Sequence, residues 1–131
     1  FEFRFKSVAM QPGRPTIFGR CGETYCFGLP GNPVSTFIIV EIMVKPFLLS
    51  LMGGTPRPVT VEVTLEKAIR RRKAKRQSTI PMALTTPGKA VAVEYHGSAH
   101  INALCRADAL LTIPIGVTEM PQGSKVNVRL I

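Results

Sequence analysis

Pro30, Gly31, Asn32, Pro33 and Ser35 are the residues whose types and spacing most suggest chemistry. They lie in the stretch Phe27-Gly28-Leu29-Pro30-Gly31-Asn32-Pro33-Val34-Ser35, between a run with strand character and a long apolar run with helix character. Pro30 and Gly31 turn the chain tightly. Asn32 is a good N-cap, and Pro33 suits the first helical position because its missing N–H would find no acceptor there anyway. Such a loop leaves backbone N–H groups, the positive end of a helix dipole and the Ser35 hydroxyl at the carboxyl end of a strand, which is a good place for an anion. The same residues also read as a plain strand-to-helix turn in which glycine and proline serve geometry alone.

A second rigid loop, Met10-Gln11-Pro12-Gly13-Arg14-Pro15, follows another predicted strand. Here Gln11, Gly13 and Arg14 are the candidates, with Arg14 able to fork onto a phosphate or carboxylate. If the strand predicted over Glu2 to Met10 pairs beside that over Thr24 to Leu29, both loops emerge on one side of the sheet and form one pocket wall. Lys6 is a further charge near this wall, although strand alternation leaves its direction open.

Metal chemistry has little support. His96 and His100 are four apart with Cys105 nearby, but Gly97 and Ser98 start a helix between the two histidines, so no metal site is expected. Asp108 is the sole aspartate, and no magnesium cluster can be assembled from this chain. Glu41 and Lys45 form an i, i+4 pair that solvation explains.

The elements that must position these loops divide near Gly53. Before it come strands over Glu2 to Met10 and Thr24 to Leu29, then a helix over Pro33 to about Met52. The breaker-rich Gly53-Gly54-Thr55-Pro56-Arg57-Pro58 predicts a linker. After it, Val59, Val61, Val63 and Leu65 alternate with polar residues as in a strand, and further strands are predicted over 80–85, 90–95, 109–113 and 125–131. One helix is predicted over Ser98 to Ala107, with Ser98 as cap and Ile101, Leu104 and Cys105 on one face. The fold class is therefore α+β in two parts: residues 1–53 end an α/β domain, and residues 54–131 form a small mostly-β barrel or sandwich.

Composition bounds the function. The 131 residues are 45% hydrophobic, enough for a packed core, and the net charge of +9 favours anionic partners of any kind. Six of the 17 basic residues fall in Arg70-Arg71-Arg72-Lys73-Ala74-Lys75-Arg76, which reads either as a solvated tip or as a contact for an anionic ligand or partner. A basic β-rich nucleic-acid-binding module is the alternative that follows, opposed by the scarcity of aromatics interleaved with Lys and Arg. Three cysteines, with no CxxC spacing and no secretory pattern, suggest reduced thiols in the cytoplasm. Val34 to Met52 approaches membrane-span length, but Glu41, Lys45 and Pro46 interrupt it, so a buried helix is expected. Because Phe1 already begins a strand-like alternation, the chain reads as the continuation of a larger protein.

The order VAMQPGRPTIFG, FGLPGNPVSTF and an apolar helix ending in KPFLLSLMGG resembles the end of the third domain of the MoeA and gephyrin E-domain family. GSAHINALCRADALLTIPIGVTEMPQGSKVNVRLI is similar to that family's fourth domain. The resemblance covers essentially the whole chain. It implies the last step of molybdenum cofactor assembly: adenylylated molybdopterin and molybdate are substrates, Mg²⁺ takes part, AMP is released, and an elongated cytoplasmic homodimer forms each site between the third domain of one subunit and the fourth of the other. The first domain would then be molybdopterin-binding-like. It also implies ligand-facing roles for Pro30, Gly31, Asn32, Pro33 and Ser35, and for Gln11, Gly13 and Arg14. Family members often carry lysines in this second loop; Arg14 keeps that charge with a different geometry and Gln11 loses one. Ser98 matches a serine that faces the neighbouring subunit's cleft, and also reads as a helix cap. The Mg²⁺ ligands of the family lie outside these residues, so the chain by itself is expected to lack transferase activity.

Overall fold

The computed structural model of the chain describes residues 1–94 and 101–131. Two compact units divide it, Phe1–Pro56 and Arg57–Ile131.

The first unit contains β1 (Glu2–Phe5), β2 (Met10–Gln11), β3 (Ile17–Cys21) and β4 (Thr24–Gly28), then α1 (Pro33–Ile39), a π-helical turn (Val40–Val44) and α2 (Lys45–Leu51). Its antiparallel sheet has the order β1-β3-β4, with Phe5 opposite Phe18 and Ile17 opposite Gly28. This corrects two expectations. The first strand ends at Phe5, after a register shift, rather than running to Met10, and its neighbour is β3, a segment that reads as loop. Gly19 disguises β3 in the sequence, yet glycine is what pairing requires there: a Cβ would lie 2.4 Å from Phe1 Cε1 and 2.5 Å from the Glu2 carbonyl oxygen.

Phe18 is the hub of this unit. Its ring lies 4.5 Å from Phe27, 5.7 Å from Phe5 and 5.2 Å from Phe47 on α2, centroid to centroid. Phe47 also meets Tyr25 and Phe27 edge-on, so one aromatic cluster pins the end of the helical run to the sheet. The π turn has an identifiable cause in Pro46. That residue has no N–H to donate and its ring would strike the carbonyl one α-turn earlier, so the helix widens just before it, with Lys45 N–H donating to the Val40 carbonyl. The run Pro33–Leu51 is long and apolar enough to cross a membrane. Only Val34, Ser35, Ile38 and Ile39 within it are buried, while Leu48, Leu49, Leu51 and Met52 are exposed. The expectation of a buried helix therefore holds for its first turns and is corrected for the rest, where Pro46 and the widened turn precede an apolar face open to solvent.

The second unit contains β5 (Thr60–Leu65), β6 (Ile69–Arg70), β7 (Gln77–Leu84), β8 (Lys89–Ala92), a 3₁₀ turn (Ile101–Arg106), β9 (Ala109–Ile113), β10 (Glu119–Met120) and β11 (Lys125–Leu130). The long strands pair in the order β7-β8-β5-β11-β9, and β9 pairs again with β7, so the sheet closes into a small barrel. Only the β5–β8 pairing is parallel among these. Alternate residues fill the interior: Val63, Leu65, Met82, Ala90, Ala109, Leu111, Ile113 and Val128 are all buried. Closure removes the exposed edges that an open sheet of this size would present. A two-stranded ribbon, β6 with β10, stands beside the barrel.

The start of the helix expected over 98–107, with its Ser98 cap, lies outside the described residues; over Ile101–Arg106 the structure has a 3₁₀ turn rather than an α-helix, in which Ile101 is 51% exposed, Cys105 is exposed and Leu104 is half-buried. Its end is pulled tight by Ala107 N–H donating to the Leu104 carbonyl and Asp108 N–H to that of Met82, which ends the turn against β7.

Candidate anion-binding site

The loop after β4 is a capped helix start. Asn32 is the N-cap: its side-chain oxygen accepts from Val34 N–H at 3.0 Å and from Ser35 N–H at 3.3 Å, and Pro33 follows at the first helical position. The Thr36 hydroxyl reaches back to the Pro30 carbonyl, fixing the turn from its other end. Gly31 is exposed, and a Cβ there would meet nothing within 4 Å. The cap changes what the site can offer. Two of the N–H groups that a helix end would present are already engaged by Asn32, so donors for a ligand come from the exposed Gly31 backbone and the Asn32 side-chain amide. Ser35 is 7% exposed, and its hydroxyl presents almost no surface.

The second loop lies at the same end of the sheet. The strand β1 leaves towards residues 6–16 and β4 leaves towards residues 29–32. These two strands run parallel to each other on either side of antiparallel β3. The direct pairing expected between the first strand and the one over Thr24 to Leu29 is therefore corrected: β3 lies between them, and the two loops leave from the same end of the sheet. Gly13 is buried at φ 110, the left-handed region that favours glycine, and a Cβ there would sit 2.5 Å from Ile39 Cδ1 on α1. The Thr16 hydroxyl and its backbone N–H both donate to the Gly13 carbonyl, and Val8 N–H donates to that of Arg14. The loop is thus braced on α1, with Gln11 and Arg14 exposed at its rim.

Charge singles out Arg14. Within the first unit, Arg4 pairs with Glu2, Arg20 with Glu23 and Lys45 with Glu41, while Lys6 lies over the Phe3 ring at 4.4 Å. Lys6 is therefore engaged by an aromatic face. Arg14 alone among that unit's basic side chains has no such engagement, and it stands in the loop braced on α1. A guanidinium fork and an open glycine backbone at one sheet end suit an anion with more than one oxygen.

No group of three metal-ligating side chains forms among the described residues. Asp108, the sole aspartate, is committed elsewhere: its carboxylate accepts the Leu84 N–H at 2.8 Å. Ser98, His96 and His100 lie outside the described residues.

The basic heptad holds a feature that sequence reading missed. Arg71 does not face solvent as a free charge. Its guanidinium donates to the carbonyls of Val117 at 2.5 Å, Arg76 at 2.6 Å and Pro114, and its backbone N–H donates to Thr118. With Gly116 N–H donating to Ala74, it staples the connector between β6 and β7 to the one between β9 and β10. Arg70 is neutralised by Glu119 across the ribbon at 2.8 Å. Nothing in the run of cations marks Arg71 as different, because its carbonyl partners lie far along the chain.

Comparison with known proteins places this architecture. A family model described as the MoeA C-terminal region, domain IV, matches residues 63–131. Molybdopterin molybdenumtransferase 2 of Mycobacterium tuberculosis is 33% identical over 95% of this chain and 31% of its own length. Molybdopterin molybdenumtransferase of Bacillus subtilis is 29% identical over 97% of this chain and 30% of its own length. The crystal structure of a molybdopterin biosynthesis MoeA protein from Pyrococcus horikoshii OT3 superposes over 100% of this chain and 33% of that one, with a TM-score of 0.89 and 26% identity. The chain spans about a third of the length of the curated relatives it matches.

Proposed function

The chain belongs to the MoeA family, and from that membership and the loop geometry we propose that it serves molybdenum cofactor biosynthesis as part of a molybdopterin molybdenumtransferase. In this reading the substrates are adenylylated molybdopterin and molybdate, AMP is released, and the protein acts in the cytoplasm as a homodimer. The supporting observation is the single disengaged cation of the first unit, Arg14, in a loop braced against α1 at the sheet end where the Asn32-capped turn also emerges.

The work assigned to these residues is positional and electrostatic. Both substrates are anions, and each must be held while charge moves between them. Arg14 would fork onto a phosphate or oxyanion. The Gly31 backbone and the Asn32 amide would supply neutral donors whose aim is fixed by the cap and by the Thr36 tie. Pro30 and Pro33 hold that turn in shape, Gly13 lets the other loop approach α1, and Gln11 and Ser35 complete the two loops without adding charge. Ser98 is assigned by resemblance alone, to the cleft of the neighbouring subunit. Mg²⁺ does not fit the described residues, which offer no carboxylate cluster, so its ligands are assigned to sequence outside them.

The test is AMP release from adenylylated molybdopterin and molybdate by the intact protein and its Arg14→Ala variant. Loss of a charge-assisted hydrogen bond of ~1.5–3 kcal/mol predicts an apparent affinity for the anionic substrate roughly 10- to 100-fold weaker. An Arg14→Ala protein with unchanged kinetics would remove the site from this loop. Absence of AMP release by the folded wild-type protein would overturn the activity itself.

A further inference from the structure

We propose that the stapled pair of loops over residues 71–76 and 114–118 is a docking surface for an acidic protein segment that carries an aliphatic side chain. Four observations meet there. First, Arg72, Lys73, Lys75 and Arg76 have no carboxylate partner among the described residues, whereas the neighbouring Arg70 is neutralised by Glu119. Four cations without a carboxylate partner thus fall within five consecutive residues of one loop, next to a ribbon whose own arginine is paired. Second, that loop is held in place: Arg71 donates to three carbonyls, and Gly116 N–H bonds to Ala74. Cations on a fixed loop lose less conformational freedom on binding than cations on a loose one. Third, Ile115 is 59% exposed at the tip of the partner loop, immediately between Pro114 and Gly116, the two residues through which the loops are tied. One exposed isoleucine is ordinary by itself; its place here, between the two residues that tie the loops, is what sets an apolar side chain beside the cations, where covering it would gain apolar burial.

The fourth observation decides between partners. An apolar anchor rimmed by cations matches the centre and rim of a protein interface. Nucleic acid would use the cations but has no use for Ile115, and it would prefer aromatic side chains on which bases stack. No aromatic side chain lies in residues 71–76 or 114–118. Carboxylates on the partner would meet Arg72, Lys73 and Lys75, speeding encounter and setting register, while its aliphatic residue covers Ile115. This surface lies wholly in the second unit and does not depend on the activity proposed above.

Fluorescence anisotropy of the intact protein provides the test, with a labelled peptide of glutamates around a central leucine, the same peptide with serine for leucine, and a labelled single-stranded oligonucleotide. At roughly 150 mM salt, where loose surface attraction is screened beyond a Debye length of about 8 Å, the leucine peptide binds best. A triple R72A/K73A/K75A variant weakens it by about tenfold or more. Ile115→Ser weakens the leucine peptide about fivefold and leaves the serine peptide unchanged. Each variant is first shown to keep the wild-type thermal midpoint. Tighter binding of the oligonucleotide, with no effect of Ile115→Ser, would replace this proposal by nucleic-acid binding. Failure of every probe to bind would leave the surface merely solvated and overturn it.

Discussion

Replacing Arg71 probes how the barrel holds its ribbon. In the wild type one guanidinium donates to the carbonyls of Val117, Arg76 and Pro114, the first two contacts half-buried and the third exposed. A hydrogen bond from a charged donor contributes about 1.5–3 kcal/mol where water is excluded, and less where it is not. Taking the low end for the two half-buried contacts and a few tenths for the exposed one, Arg71→Ala should destabilise the second unit by about 3 kcal/mol. Arg71→Lys keeps the charge but offers one donor centre in place of a planar fork, so it should recover no more than about a third of that. The chain has no tryptophan, so urea unfolding is followed by far-UV circular dichroism. With a urea slope of about 1.5 kcal/mol per molar, Arg71→Ala lowers the midpoint by roughly 2 M. Hydrogen exchange supplies the local readout: the Arg71 and Gly116 amides, bonded to Thr118 and Ala74, should lose protection before the strand amides of β7 and β9 do. A lysine variant as stable as wild type, or an alanine variant within about 0.5 kcal/mol of it, would show that Arg71 is another solvated cation.

Two further substitutions test the first unit. Gly19→Ala places a Cβ against the Glu2 carbonyl at 2.5 Å, a backbone atom that cannot step aside, so β1 should detach from β3 at a cost of about 1–3 kcal/mol, seen as rapid exchange of the β1 amides. A variant that keeps those amides protected would refute the close approach. Asn32→Ala removes the acceptor for the Val34 and Ser35 N–H groups and should cost about 1 kcal/mol in thermal unfolding, whereas Asn32→Asp keeps the cap and should cost little. Equal stability of the two variants would contradict the capping role.

The sequence was most readable where one signal acted locally. The Asn32-Pro33 start of α1 needs only its own residues, and the alternation of Val61, Val63 and Leu65 foretold the interior face of β5. Val59, expected on that face, is 63% exposed at the start of the strand, even though its carbonyl accepts the Leu130 N–H. Long-range demands were hidden. Gly19 reads as a breaker until the Glu2 backbone is seen beside it, and Arg71 reads as one cation among six until its carbonyls are seen. The aromatic cluster around Phe18 was likewise obscured, since Phe5, Phe27 and Phe47 come from separate elements. Two-residue strands such as β6 and β10 carry too few positions to show a period at all.

The proposed part of this chain in an anion-handling transferase is tested most directly by calorimetric titration. The 131-residue chain, and the same chain joined to the additional sequence that its relatives carry, would each be titrated with AMP and with molybdate in the presence of Mg²⁺. Binding by the longer protein, weakened by Arg14→Ala, is the expected result, with none by the 131 residues alone, since no metal-holding carboxylate cluster forms among the described residues. Failure of both proteins to bind AMP or molybdate, while RNA binds the chain tightly, would contradict it and make the basic heptad the functional surface.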